Sequence, residues 1–146
     1  MKSAARVGTH PIHPMLVMFP FAFWVGGFAS DLYAAVTNQF HYMGYYLTWA
    51  GCVTAVIAAM PGLMDLFTAV PAGTNARRTG IRHAILNAVV FVLFVASIFT
   101  RPEPGYVTYA TYATGGLATI LLLISGWLGG TLVYDHKVGV PGVELE

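Results

Sequence analysis

Apolar residues run along this chain in four long blocks, and almost every ionisable side chain lies where a block ends. The blocks cover residues 15–36, 45–70, 83–100 and 107–133. Each can form a helix across a hydrocarbon layer of ~30 Å, which takes about 20 mostly apolar residues. With 57% hydrophobic and 9% charged residues, a soluble domain of 146 residues would lack the polar surface to stay dispersed. The expected fold is all-α: one integral membrane domain, residues 1–146, built as a four-helix transmembrane bundle.

Turn and cap signals divide the blocks. A His-Pro pair occurs twice before the first, as His10 with Pro11 and His13 with Pro14. Proline disfavours a helical residue before it and fits the first turn of the helix after it, so His13 stands at the start of helix one. Pro61 with Gly62 is expected to kink helix two or free a carbonyl near its end. Residues 71–75 read as a turn, and Arg77, Arg78 and Arg82 lead into helix three. Gly126 and Gly130 form a GxxxG beside Gly129, and Ala22 with Gly26 is a second small pair. Such notches let helices touch in lipid, or open room for a flat cofactor. No internal repeat is evident, hence no inverted-repeat transporter signature. The first residues do not read as a signal peptide, because the apolar run after them is of full span length and ends in Asp31.

Charge then sets orientation and excludes partners. Of the 7 lysines and arginines, only Arg101 falls on the side opposite Lys2, Arg6, Arg77, Arg78, Arg82 and Lys137. That asymmetry places both termini and the second connection in the cytoplasm, in a multi-pass protein of the bacterial inner membrane. Phe40, Tyr42, Tyr45, Tyr46, Trp49, Tyr106, Tyr109 and Tyr112 supply interfacial aromatic belts. A net charge of +1 offers no basic stripe for nucleic acid. Cys52 is the single cysteine, which rules out an internal disulfide and a cysteine-ligated iron–sulfur cluster. It reads as a small packing residue.

The chemistry-bearing residues gather at the inner face: His10, His13, Asp65, Arg77, Arg78, Arg82, His83, Asn87, Tyr134, Asp135 and His136. The outer half holds Asp31, His41, Arg101 and Glu103. The midplane carries essentially no titratable group, which counts against a pump or ion-coupled carrier. Asp65 is expected either to close the helix two–three hairpin with Arg82 or to orient a histidine. Asp31 reads as interfacial by position, and Asp31, Asp65 and Tyr134 as members of a structural polar network. A lone helical histidine is ordinarily a packing residue. Here His13, His83 and His136 bring imidazole to one membrane face from three segments, and imidazole is the commonest axial ligand of haem iron. His83 with His13 or His136 is therefore the expected metal-ligating set, with Arg77, Arg78 and Arg82 near the haem propionates. Asn87, one turn after His83, is placed to bond a neighbour or a ligand carbonyl, or to serve as interhelical glue. His41 cannot join that cluster. No hydrolase motif, HExxH or phosphate loop occurs.

The stretches HPIHPMLVMFPFAFWVGGFASDLY, PGLMDL, ARRTGIRHAILN and GWLGGTLVYDHKVGV resemble the bacterial membrane family catalogued as domain of unknown function 2231, over almost the whole chain. Its recurrent polar residues match His10, His13, Asp31, Asp65, Arg78, His83, Asn87, Gly129, Gly130 and Tyr134. Some members are fused to a Rieske-type iron–sulfur domain. The resemblance implies a four-helix membrane protein serving electron transfer, with haem b or quinone, and a separate Rieske-type redox protein, as partners. Beside this redox module stand two other readings: a non-enzymatic anchor or assembly subunit, homo-oligomers included, and a small-molecule permease. The orientation has a direct check. Topology reporters fused at the C-terminus and just after Arg101 should give opposite signals, and matching signals reject four spans with both termini inside.

Overall fold

The computed structural model describes residues 3–37 and 42–140. It contains four helices long and apolar enough to cross a membrane. The first span has two pieces, α1 (Ile12–Leu16) and α2 (Met18–Thr37). The others are α3 (Met43–Thr68), α4 (Asn75–Phe99) and α5 (Tyr109–Tyr134). A short ribbon, β1 (Arg6–Val7) against β2 (His10–Pro11), precedes them and turns at Gly8, whose φ is +61°. That left-handed conformation suits glycine.

Local chemistry explains where the elements begin and break. Pro20 has no N–H to give the Leu16 carbonyl, and the first span breaks beside that residue, at Val17. α4 begins well ahead of its apolar block because Thr74 caps it, its Oγ1 accepting from the Arg77 N–H at 3.2 Å. Arg77, Arg78 and Arg82 therefore lie on the helix itself. α5 opens with a capping box in which Thr108 and Thr111 satisfy each other's backbone N–H. α3 continues through Pro61.

α2 packs most extensively on α3, and α4 on α5, so the bundle is two antiparallel hairpins side by side. The core holds Trp24, Cys52, Val90, Phe94, Ile98, Ala118 and Leu122. Trp24 stacks on Phe94 with centroids 4.7 Å apart and planes at 10°. Gly51 makes room for the indole, since a Cβ there would overlap it. Cys52 is buried against that ring, a packing residue as expected. Outward-facing side chains are large and apolar, with Val36 87% and Trp127 80% exposed. Lipid is the surrounding that suits such a surface.

The outer end is closed by an ion pair that the sequence left as two separate residues. Arg101 donates from Nη1 to Asp31 Oδ1 at 3.0 Å and from Nη2 to Oδ2 at 2.6 Å. Both residues are buried. The Tyr112 hydroxyl donates to the Asp31 carbonyl at 3.2 Å. Gly44 clears the space, because a Cβ there would run into the carboxylate. Asp31 is thus a buried network residue and not an interfacial one.

At the inner end Asp65 takes neither expected role. Its Oδ2 accepts from Ser3 Oγ at 2.7 Å, and its Oδ1 from the backbone N–H of Ala4 at 2.8 Å and Ala5 at 3.0 Å. It pins the N-terminal segment across the bundle, while Arg82 is exposed. The sequence could not show this, because two of the three donors are backbone groups. Arg77 closes the α3–α4 hairpin instead. Its Nη1 donates to the Leu66 and Val70 carbonyls at the end of α3, and its guanidinium lies 4.7 Å from the Phe67 ring centroid. A cation there suits the negative end of the helix dipole.

Burial reveals an order that residue identities conceal. Pro20, Trp24, Gly27 and Asp31 of the first span are matched at one constant offset by Val90, Phe94, Ser97 and Arg101. Gly44, Thr48, Gly51 and Ala58 are matched likewise by Thr111, Gly115, Ala118 and Ser125. The absence of an internal repeat is therefore corrected: the two hairpins repeat in register. Their spans run in the same directions, so the repeat is parallel and not inverted.

Removing one partner of a buried ion pair strands the other. Asp31→Ala and Arg101→Ala should each cost about 3–5 kcal/mol, and the double variant less than their sum. Arg82→Gln should change stability by less than about 0.5 kcal/mol. Unfolding of the full chain in mixed micelles measures all four. Strictly additive losses would show that the two residues do not couple.

Candidate functional site

Two imidazoles at the inner end are seated in the same way. His13, in α1, lies on Gly62 of α3, where a Cβ would come 2.6 Å from its Nδ1. That nitrogen is 2.8 Å from the Ala58 carbonyl oxygen. His83, in α4, lies on Gly129 of α5, where a Cβ would come 3.2 Å from its Cε1. Its Nδ1 is 2.9 Å from the Ser125 carbonyl and 3.1 Å from Ser125 Oγ. In both cases the accepting carbonyl is four residues before the glycine, on the same face of its helix.

This geometry fixes the protonation pattern. A carbonyl oxygen only accepts, so Nδ1 carries the hydrogen in each ring and a neutral imidazole presents its lone pair at Nε2. For His83 that lone pair accepts from Asn87 Nδ2 at 3.0 Å, one turn along α4. For His13, no donor reaches Nε2 among the described residues. The site is half-buried at the inner end, contributed by the leading span of each hairpin.

The other expected site residues are placed apart. His136 Nε2 lies 3.4 Å from Thr79 Oγ1, one turn nearer the inner end than His83. Arg78 and Arg82 are exposed on the first turns of α4, free to face an anionic group, whereas Arg77 is committed to the end of α3. Tyr134 is 73% exposed and belongs to the boundary of the bundle, not to a polar network. His10 is exposed, and His41 lies outside the described residues. Among the described residues no group of three or more His, Cys, Asp and Glu is gathered to hold a metal ion. The GxxxG faces outward: a Cβ on Gly126 would meet nothing within 4 Å, and one on Gly130 only Tyr134 of its own helix. The bundle uses Gly129, and Gly62 on the other hairpin, as seats for histidine. Sequence reasoning passed over that role, although each glycine stands at the same place in its repeat.

The two seats differ in clearance, which gives a test. Gly62→Ala should push the His13 ring off its carbonyl and destabilise by about 1–3 kcal/mol, as overpacking does. Gly129→Ala asks the His83 edge to yield only a few tenths of an ångström and should cost less. Histidine ring N–H signals in NMR of the full chain, with micellar unfolding, check both. A His13 Nδ1–H signal unchanged by Gly62→Ala would contradict the seating.

Residues 9–142 match the family described as predicted membrane protein (DUF2231). No curated protein and no solved structure matches the chain. The match takes in all four spans, both imidazoles and the glycines beneath them, and the chain belongs to the DUF2231 family of membrane proteins.

Proposed function

We propose that this protein is a redox module of the bacterial inner membrane, in which His13 and His83 would hold a haem b at its inner end. The observation that carries this reading is the pair of Nδ1–H bonds to backbone carbonyls. Ligating imidazoles are commonly held this way: the bond fixes the tautomer, aims Nε2 outward and raises its basicity. Helical bundles place such ligands from facing helices. His83 pairs with His13 in preference to His136, whose Nε2 is turned to Thr79. Arg78 and Arg82 provide cations for propionates at the same end. When bound, haem supplies one-electron chemistry. The chain's own part is to hold two neutral nitrogens in fixed orientation and to keep the surrounding layer apolar.

A quinone headgroup is the second ligand that this chemistry suits, and Asn87 favours it: an amide beside an imidazole can bond a quinone carbonyl. The anchor reading has its own supporting observation in the outward face of Gly126 and Gly130, open to another helix.

The full chain, produced with ample haem and purified in detergent, should show a Soret band and a reduced-minus-oxidised difference spectrum. His13→Ala and His83→Ala should each abolish or shift it, and His136→Ala and His41→Ala should leave it in place. A stable but colourless bundle would overturn the haem reading and move the anchor reading to first place.

A further inference from the structure

The register of the repeat extends to the residues that meet in the middle of the bundle. His13, Trp24 and Asp31 have His83, Phe94 and Arg101 as their equivalents, all at one offset. The structure brings two of these residues against their own equivalents: Trp24 stacks on Phe94, and Asp31 is paired with Arg101. His13 and His83 hold the corresponding places at the inner end, each on its own glycine seat. Residues that meet their own equivalents lie on a two-fold axis, here running along the membrane normal between the leading spans. The sequence carries traces of it. His13, Leu16, Phe21 and Val25 recur as His83, Leu86, Phe91 and Val95, and Tyr42, Tyr45, Ile57 and Gly62 as Tyr109, Tyr112, Ile124 and Gly129.

Around the imidazole pair the symmetry extends to both glycine seats and both carbonyl acceptors. It fails at two polar positions: Ser125, whose Oγ lies 3.1 Å from His83 Nδ1, has Ala58 as its equivalent, and Asn87, the one that reaches Nε2, has Val17. Asn87 Nδ2 occupies the Nε2 lone pair of His83, whereas a valine cannot do so for His13, whose Nε2 no donor reaches among the described residues. One lone pair cannot both accept a hydrogen bond and take a metal, a proton or an electrophile.

We infer that Asn87 is a positioning residue that makes the two halves of an otherwise two-fold ligand site inequivalent, so that an incoming ligand is taken first at His13 Nε2. His83 follows only when Asn87 lets go. The identity of the ligand rests on the haem reading; the inequivalence does not.

The test transposes the asymmetry within the full chain in detergent. Diethyl pyrocarbonate acylates unengaged imidazole nitrogen: the lone pair attacks a carbonyl carbon, ethyl carbonate leaves, and the ring's other proton goes to water. Mass spectrometry gives the rate at each histidine. In the natural chain His13 should react several-fold faster than His83. Asn87→Val should raise His83 to the rate of His13, and Val17→Asn with Asn87→Val should reverse the order. The single variant serves if the double one does not fold. Equal rates in the natural chain, or a His83 rate unmoved by Asn87→Val, overturn the inference whether or not haem binds. Ferric haem titration of the same proteins separates the two claims. With haem bound, loss of affinity on His13→Ala should exceed that on His83→Ala, and the transposed pair should invert this. A reversal of acylation rates in protein that takes no haem keeps the role of Asn87 and removes the haem reading alone.

Discussion

Helices in a bilayer gain nothing by hiding apolar surface from one another, because lipid tails are as apolar as their side chains. What remains is close contact and polar pairing, and this bundle uses each at a definite place. Within a hairpin, glycines bring large or polar groups of the partner helix onto the backbone: Gly44 under Asp31, Gly51 under Trp24, Gly62 under His13 and Gly129 under His83. Between hairpins, α3 lies on α4 and α2 on α5, and a central column links the leading spans through stacked rings in the core and a charged pair at the outer end, with the two seated imidazoles at its inner end.

Much of this was legible in the sequence, and the reasons for the rest are physical. Four spans, the inner position of His13, His83 and Asn87, and the packing role of Cys52 follow from hydropathy and composition. Asp31 and Arg101 could be assigned to one end but not to each other, since pairing depends on which faces of two non-adjacent spans meet. Asp65 defeated the search for a cationic partner because its partners are Ser3 and the backbone of Ala4 and Ala5, which no residue pattern reveals. The GxxxG was visible, but the glycine that the bundle needs is its neighbour Gly129. The repeat escaped because the hairpins share burial and shape more than identity: tryptophan answers phenylalanine, and aspartate answers arginine.

The two ends of the column are built for different degrees of permanence. Asp31 and Arg101 form a bidentate, charge-assisted pair, and losing one partner leaves a charge in a dry layer. The His13 and His83 rings are neutral, each with its Nδ1–H directed to a carbonyl and Nε2 outside the seat. Releasing Asn87 from His83 costs one ordinary hydrogen bond, on the order of 1 kcal/mol. The outer pair is thus far costlier to break than the contact at His83 Nε2.

A two-fold axis also constrains which residues can sit on it, and the three layers answer that constraint in three ways. Two identical carboxylates or two guanidiniums facing across the axis would repel in a medium that screens poorly, so a charged layer is stable only if the copies diverge to opposite sign. Asp31 and Arg101 have done so. Aromatic rings stack with like or unlike partners, and Trp24 and Phe94 have drifted within that freedom. Imidazole is a titratable side chain that can stay identical in both copies at such a place, provided each ring is neutral with its Nδ1–H bonded away. Both carbonyl bonds meet that condition. Identity therefore persists at the layer where neutrality permits it, and the asymmetry needed to order two equivalent nitrogens is supplied from one turn away, by Asn87 opposite Val17.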